Sequence, residues 1–177
     1  MSVAGRAALA VAVGALATAC ASESVVGVRH RAAPAAPPVT SAAPACTFHL
    51  VAVDDHRDRQ DLGQLFRSRV DGKGFPGWFS AGIESMPGQV SGPAPVTVRI
   101  ELLKAYMQSV STMMAANLVV RVHTQVAGQP VVPKLYRSAD RSTNWFNAEA
   151  EVQNSFDRAM ADLTAQLGTD LSALCPR

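Results

Sequence analysis

The chain has 177 residues, a length that suits one domain with extensions. Hydrophobic residues make up 48%, with alanine-rich stretches inflating the figure, while aromatics reach only 6%, so a core must rest on Val, Leu, Ile and Met. Lys and Arg total 16 against 14 Asp and Glu, a net charge of +2 with no basic patch or stripe, which argues against a nucleic-acid binder.

Met1 to Arg6 is short and carries one positive charge, and Ala7 to Ala19 is uncharged and apolar. That run falls short of the ~20 residues a helix needs to cross a bilayer, and it has the flanks of a signal-peptide apolar region. It ends in Leu16-Ala17-Thr18-Ala19-Cys20, which resembles a bacterial lipobox. Small residues at Thr18 and Ala19 suit a peptidase that excludes bulk; Ala17 stands where such boxes usually carry Leu. Residues 1–19 therefore read as a signal peptide and Cys20 as the lipidation site, bearing acyl chains such as palmitate; the competing reading is an ordinary secretory signal with an incidental cysteine. With Ser22 rather than Asp second after Cys20, the lipobox pattern implies onward export to the outer membrane, facing the periplasm.

Residues 20–45 read as the acylated cysteine and a disordered tether rich in Pro and Ala, with Pro34, Pro37, Pro38 and Pro44 favouring extended backbone. At roughly 3 Å per residue such a tether would reach about 75 Å. Arg29, His30 and Arg31 form a small basic cluster, read as solvated linker or as a contact for lipid phosphates.

Residues 46–177 read as one periplasmic domain. Cys46 and Cys175 bracket its periodic part, and in an oxidising compartment an even pair reads as a disulfide; the alternative is two unrelated thiols. A loop that long would be stabilised by about 4 to 5 kcal/mol in the chain-entropy model.

Thr47 to Val53 alternates like a strand, and Asp54 to Arg59 breaks the pattern. Leu62 to Arg69 fits strand or helix. Asp71 to Gly74 is a turn by composition. Phe75 to Met86 predicts a helix with Pro76 in its first turn and Trp78, Ile83 and Met86 inward, ended by Pro87-Gly88. Val96 to Leu102 and Asn117 to Val126 alternate as half-buried strands, joined to a third, Val131 to Ser138, through Ala127-Gly128-Gln129-Pro130. Pro133 puts that third strand at an edge. The three runs form an antiparallel meander. A long helix follows, with Asn147 as its cap, Glu149 and Glu151 at the positive end of its dipole, and one apolar stripe: Val152, Phe156, Met160, Leu163, Leu167, Leu171 and Leu174. Gly168 is expected to kink or end it. The fold class is α+β: an antiparallel sheet of about four strands with two helices packed on one face, the C-terminal one long.

This order of features resembles the YajG-type family of small outer-membrane lipoproteins. The shared points are the lipobox, a first strand ending in Asp55-His56-Arg57, a helix, two strands, a third strand with Tyr136-Arg137, Phe146 before the last helix, and an Ala-rich terminal helix. Leu62 to Val96 departs from that order. The family has no settled activity, so the resemblance implies location and fold. A looser likeness is to auxiliary lipoproteins of envelope lipid transporters.

Catalytic constellations are missing. The Asp54 to Asp61 cluster with His56 has ligand types for a divalent ion, yet Arg57 and Arg59 within it would repel one, so an ion-paired loop is the better reading. His30, His49, His56 and His123 are scattered, no Gly-x-Ser-x-Gly elbow occurs, and Gly72-Lys73-Gly74 lacks P-loop spacing. No enzyme activity, catalytic residue, metal or cofactor is expected. Candidate partner surfaces are Trp78 and Phe79, which fit either core or a docking patch; the edge strand with Val131, Leu135 and Tyr136; and Trp145 at the sheet-to-helix turn, where one of Trp145 and Phe146 is expected to plug the core and the other to sit at the rim. The expected function is a membrane-anchored envelope module that binds or scaffolds a protein partner, with any small-molecule ligand left open. The alternative is an auxiliary subunit of a lipid or lipopolysaccharide transporter, which requires an apolar groove between sheet and helix.

Overall fold

The computed structural model describes residues 24–26, 46–146 and 148–175. The signal peptide, Cys20 and most of the expected tether lie outside the described residues. In chain order the elements are β1 (Ser24–Val26), β2 (Phe48–Asp55), β3 (Gln64–Leu65), β4 (Ser68–Val70), α1 (Phe75–Glu84), β5 (Val96–Val110), β6 (Met113–Val126), β7 (Val132–Thr143) and α2 (Glu149–Leu174).

The main sheet runs β2-β5-β6-β7, with β5, β6 and β7 forming the expected antiparallel meander. β2 differs: it pairs with β5 in parallel, so the sheet is mixed. The reason is the connection. A parallel pair needs a crossover of a dozen or more residues, and the chain between β2 and β5 supplies one that includes α1. Leu62 to Arg69 resolves as strand, forming a tight hairpin of β3 and β4 with β1 parallel to β4 on its outer side. Thus Ser24–Val26, inside the stretch read as tether, is a strand.

β5 and β6 run well beyond the alternating segments legible in the sequence. In β5, Val96, Val98, Ile100 and Leu102 face the core, then a bulge at Leu103 shifts the inward positions to Ala105 and Met107. An extra residue reverses which parity points inward, so a strict period of two stops at Leu102 although the strand continues. The small sheet attaches where β2 has ended: Met107 N–H donates to Leu62 C=O at 2.6 Å, and Gly63 bridges Met107. Gly63 has φ 85°, and a Cβ there would stand 2.9 Å from the Met107 carbonyl oxygen, so both conformation and space call for glycine.

The helices cover the inner face. The α2 stripe from Val152 through Phe156, Met160, Leu163 and Leu167 to Leu171 is buried, while Leu174 emerges to solvent. The helix passes Gly168 without ending there. Its first residue follows Ala148 rather than Asn147, which lies outside the described residues. α1 meets α2 through aromatic contacts, Phe75 to Phe156 at 5.2 Å and Trp78 to Phe156 at 6.4 Å between ring centres. A disulfide joins Cys46, just before β2, to Cys175, just after α2, with Cα atoms 5.6 Å apart.

Candidate functional site

The Asp55-His56-Arg57 element is a clamp. The Arg57 side chain is 2% exposed and donates to both Asp55 oxygens, at 2.8 and 2.9 Å, with its guanidinium 5.1 Å from the centre of the Phe75 ring. These hydrogen bonds hold the Asp55 carboxyl below its ordinary range despite partial burial. Arg57 occupies the carboxylate that a metal would need, and among the described residues no three of His, Cys, Asp or Glu gather as a metal site. A cleft of about 390 Å³ beside the clamp is lined by Arg57, Arg59, Asp61, Lys104 and Tyr106, with both charge signs present.

The outer face of the sheet is laced by ion pairs. Arg99 donates to Asp54 at 2.8 Å, and Glu101 accepts from Arg121 at 2.8 Å and lies 3.1 Å from His123 Nε2. His49 Nδ1 sits 3.2 Å from the Val90 carbonyl. Both histidines thus take sheet-face or loop partners rather than converging on one another.

Of the sequence-derived partner surfaces, Trp78 and Phe79 are buried, as is Ile83. The core reading holds for them, because α1 turns these side chains away from solvent, with the Trp78 ring 6.4 Å from that of Phe156. Tyr136 is also buried: it lies on the inward face of β7, and its hydroxyl donates to Asp170 at 2.6 Å. Burial, then the Asp170 carboxylate, pushes the Tyr136 phenol far above its usual range. Lys134 pairs with the same carboxylate. Val131 and Leu135 are exposed, together with Val132, along the β7 edge. That edge is partly managed, since Pro133 has no N–H and the Arg137 carbonyl accepts from Gln166 Nε2 at 3.2 Å. An apolar groove of about 290 Å³ opens between the end of the β6–β7 hairpin and the last turns of α2, lined by Val122, Val126, Val132, Leu167, Leu171 and Leu174.

Trp145 and Phe146 depart from expectation. Neither plugs the core: they are 74% and 83% exposed. Asn144 turns inward instead and anchors the loop, its N–H donating to the Thr112 carbonyl at 2.8 Å. The Glu151 carboxylate then accepts the N–H groups of Trp145, Phe146 and Ala148 at 3.0 to 3.1 Å. Glu151 reaches back as the return half of a capping box, and its three bonds fix the backbone that carries both aromatics outward. The nearby residues Phe66, Val110 and Met113 are exposed too, and the sequence reading passed over them. Their signal was apolar residues directly flanking turns, at Phe66-Arg67 and Ser111-Thr112.

No family model and no curated protein matches the chain. Several solved structures match it at low identity, with TM-scores below 0.5. It is similar to a Xanthomonas campestris protein of the family DUF330, at 14% identity and a TM-score of 0.49, covering 84% of this chain and 92% of that one. A Chlamydia trachomatis protein gives 11% identity and 0.47, covering 72% and 99%. A minor lipoprotein from Acinetobacter baumannii gives 13% identity and 0.39, covering 71% and 90%. None of these likenesses assigns an activity to this chain.

Proposed function

We propose that this chain is a lipid-anchored envelope protein whose domain is a non-catalytic binding module, held to the outer membrane through Cys20 and engaging an envelope protein along β7. The observation that carries the reading is the β7 edge, where Val132 and Leu135, with Val131 just before the strand, are exposed beside one unpaired side among the described residues. Unpaired backbone gives a partner strand hydrogen bonds, and exposed side chains give it selectivity. The lipobox at Cys20 supports the location, because acyl chains hold a water-soluble body at a bilayer.

A photo-crosslinking residue at Leu135 in living cells tests the partner. The expected result is one discrete protein adduct, lost when Val132→Arg places charge on the same edge. Adducts spread over many proteins would sink the reading. The anchor is tested separately: Cys20→Ser should move the protein from membranes to the soluble fraction, and continued membrane association would refute it.

The groove between β6–β7 and α2 favours a second reading, an auxiliary lipoprotein of an envelope lipid transporter. A crosslinker at Leu174 that captures acyl lipids rather than protein would select it.

A further inference from the structure

Five of the exposed apolar residues, Phe66, Val110, Met113, Trp145 and Phe146, gather at one end of the molecule, and β1 brings the chain from Cys20 to that same end. β1 runs parallel to β4, with Ser24 opposite Ser68, Val25 opposite Arg69 and Val26 opposite Val70, and Asp71 N–H donates to the Val26 carbonyl at 3.0 Å. A parallel register puts the first residue of β1 beside the start of β4, next to the Phe66-Arg67 turn. That turn lies at the tip of the β5–β6 hairpin, where Phe66 N–H donates to Ser109 Oγ at 3.1 Å. The other flank of the tip carries the Trp145-Phe146 loop, through Met113 opposite Thr143 and Asn144 on the Thr112 carbonyl. Phe66, Val110, Met113, Trp145 and Phe146 are all exposed there, with Arg67 exposed beside Phe66.

Whatever path residues 21–23 take, four peptide units separate Cys20 from Ser24, and at no more than ~3.6 Å each they span about 14 Å. Residues 27–45 join Val26 to Cys46 and so do not lie between the anchor and the folded domain. The stand-off distance is therefore set by those four units rather than by the ~75 Å an extended tether would allow.

We infer that this end is a membrane-docking face: Trp145 and Phe146, with Phe66, Val110 and Met113, enter the headgroup boundary of the bilayer that holds Cys20. The inference rests on acylation of Cys20. Three physical points favour lipid as the occupant. Tryptophan and other aromatics partition to the interface, where an apolar ring and a polar edge are both satisfied. An anchor within reach makes docking intramolecular, so a modest apolar patch suffices. The patch is also pre-formed, since Glu151 and Thr112 hold the backbone that presents the two aromatics.

The test uses the full-length, acylated chain reconstituted into vesicles of phosphatidylethanolamine and phosphatidylglycerol, with or without brominated acyl chains. The chain has two tryptophans, of which Trp78 is buried, so the Trp145→Phe variant supplies the background. Bromolipid is expected to cut Trp145 emission roughly in half, as for a ring at the interface. Val25→Pro breaks β1 while leaving Cys20 and the tip unchanged. That variant is expected to float with vesicles but to lose most of the quenching, and undiminished quenching would overturn the role given to β1. Unquenched Trp145 emission from protein whose N-terminal peptide carries acyl chains would overturn the docking face alone. Trp145 shielded from aqueous iodide yet untouched by bromolipid would do the same, identifying a protein cover. A peptide unmodified at Cys20 would remove the anchoring reading and this inference together.

Discussion

Asp140 shows how single carboxylates secure this fold. It accepts two bonds from Arg158, at 2.8 and 2.9 Å, and one at 2.8 Å from the hydroxyl of Ser155, a fully buried residue at the α2 interface with β7. The Arg158 bonds hold its carboxyl below the ordinary value of 3.8, as the Arg57 bonds do for Asp55. A depressed folded value means that the unfolded chain binds protons first as pH falls. The stability from these two groups is complete above the ordinary carboxylate value and is lost as pH drops through their lowered folded values. Asp157, raised by burial, acts with the opposite sign and at higher pH, between the ordinary carboxylate value and its raised folded one. Denaturant melts between pH 6 and 2 should therefore show stability falling on the acid side, and Asp140→Asn should flatten that slope. An unchanged slope would mean that the Arg158 pair exists to the same extent in the unfolded chain. On the alkaline side, Tyr136 keeps its proton in the fold, so its contribution is present below the ordinary phenol value of 10.0 and is lost above it.

Among elements, α2 carries the clearest internal conflict. Its apolar stripe follows the helical period through 26 residues, yet Gly168 stands in its last third with open space where a Cβ would sit. Glycine in a helix costs about 0.5 to 1 kcal/mol relative to alanine, chiefly through the freedom it has when unfolded. Gly168→Ala should raise stability by about that amount in thermal or denaturant melts, with the fold unchanged. A loss of stability would show that the glycine serves a contact outside the described residues. The same substitution at Gly63 should be costly, because φ there is 85° and the Met107 carbonyl leaves no room.

For the whole molecule, the Cys46–Cys175 bond closes a loop with a sequence separation of 129, tying the first long strand to the last helix. In the chain-entropy model a loop of this size contributes about 4 to 5 kcal/mol, a large share of the total for a small domain. The Cys46→Ser/Cys175→Ser double variant should lose that much in denaturant melts, and reductant should lower the stability of the native chain to the same level. A loss below ~1 kcal/mol would show that the unfolded chain retains enough structure to bring those ends together.

Much of this arrangement was legible in the residues. The α2 stripe, the alternation in β5 and β6, Pro133 at an edge and the cysteine pair each express a local rule: periodicity, a missing donor, or redox chemistry. The bulge at Leu103 and the turn at Ser111-Thr112 were not legible, because an extra residue reverses strand parity and the turn lacks Asn-Gly. Among the candidate site residues, Val131, Leu135 and Trp145 are exposed, whereas Trp78, Phe79 and Tyr136 are not. An aromatic or apolar side chain satisfies the same local pattern in a core or at a surface, and only the position of a partner element decides between them. Local pattern alone marks which segments have a face to bury. Which strand lies beside which, where the chain from Cys20 rejoins the domain, and which apolar residues find no cover depend on contacts distant in sequence, so the tertiary structure alone decided them.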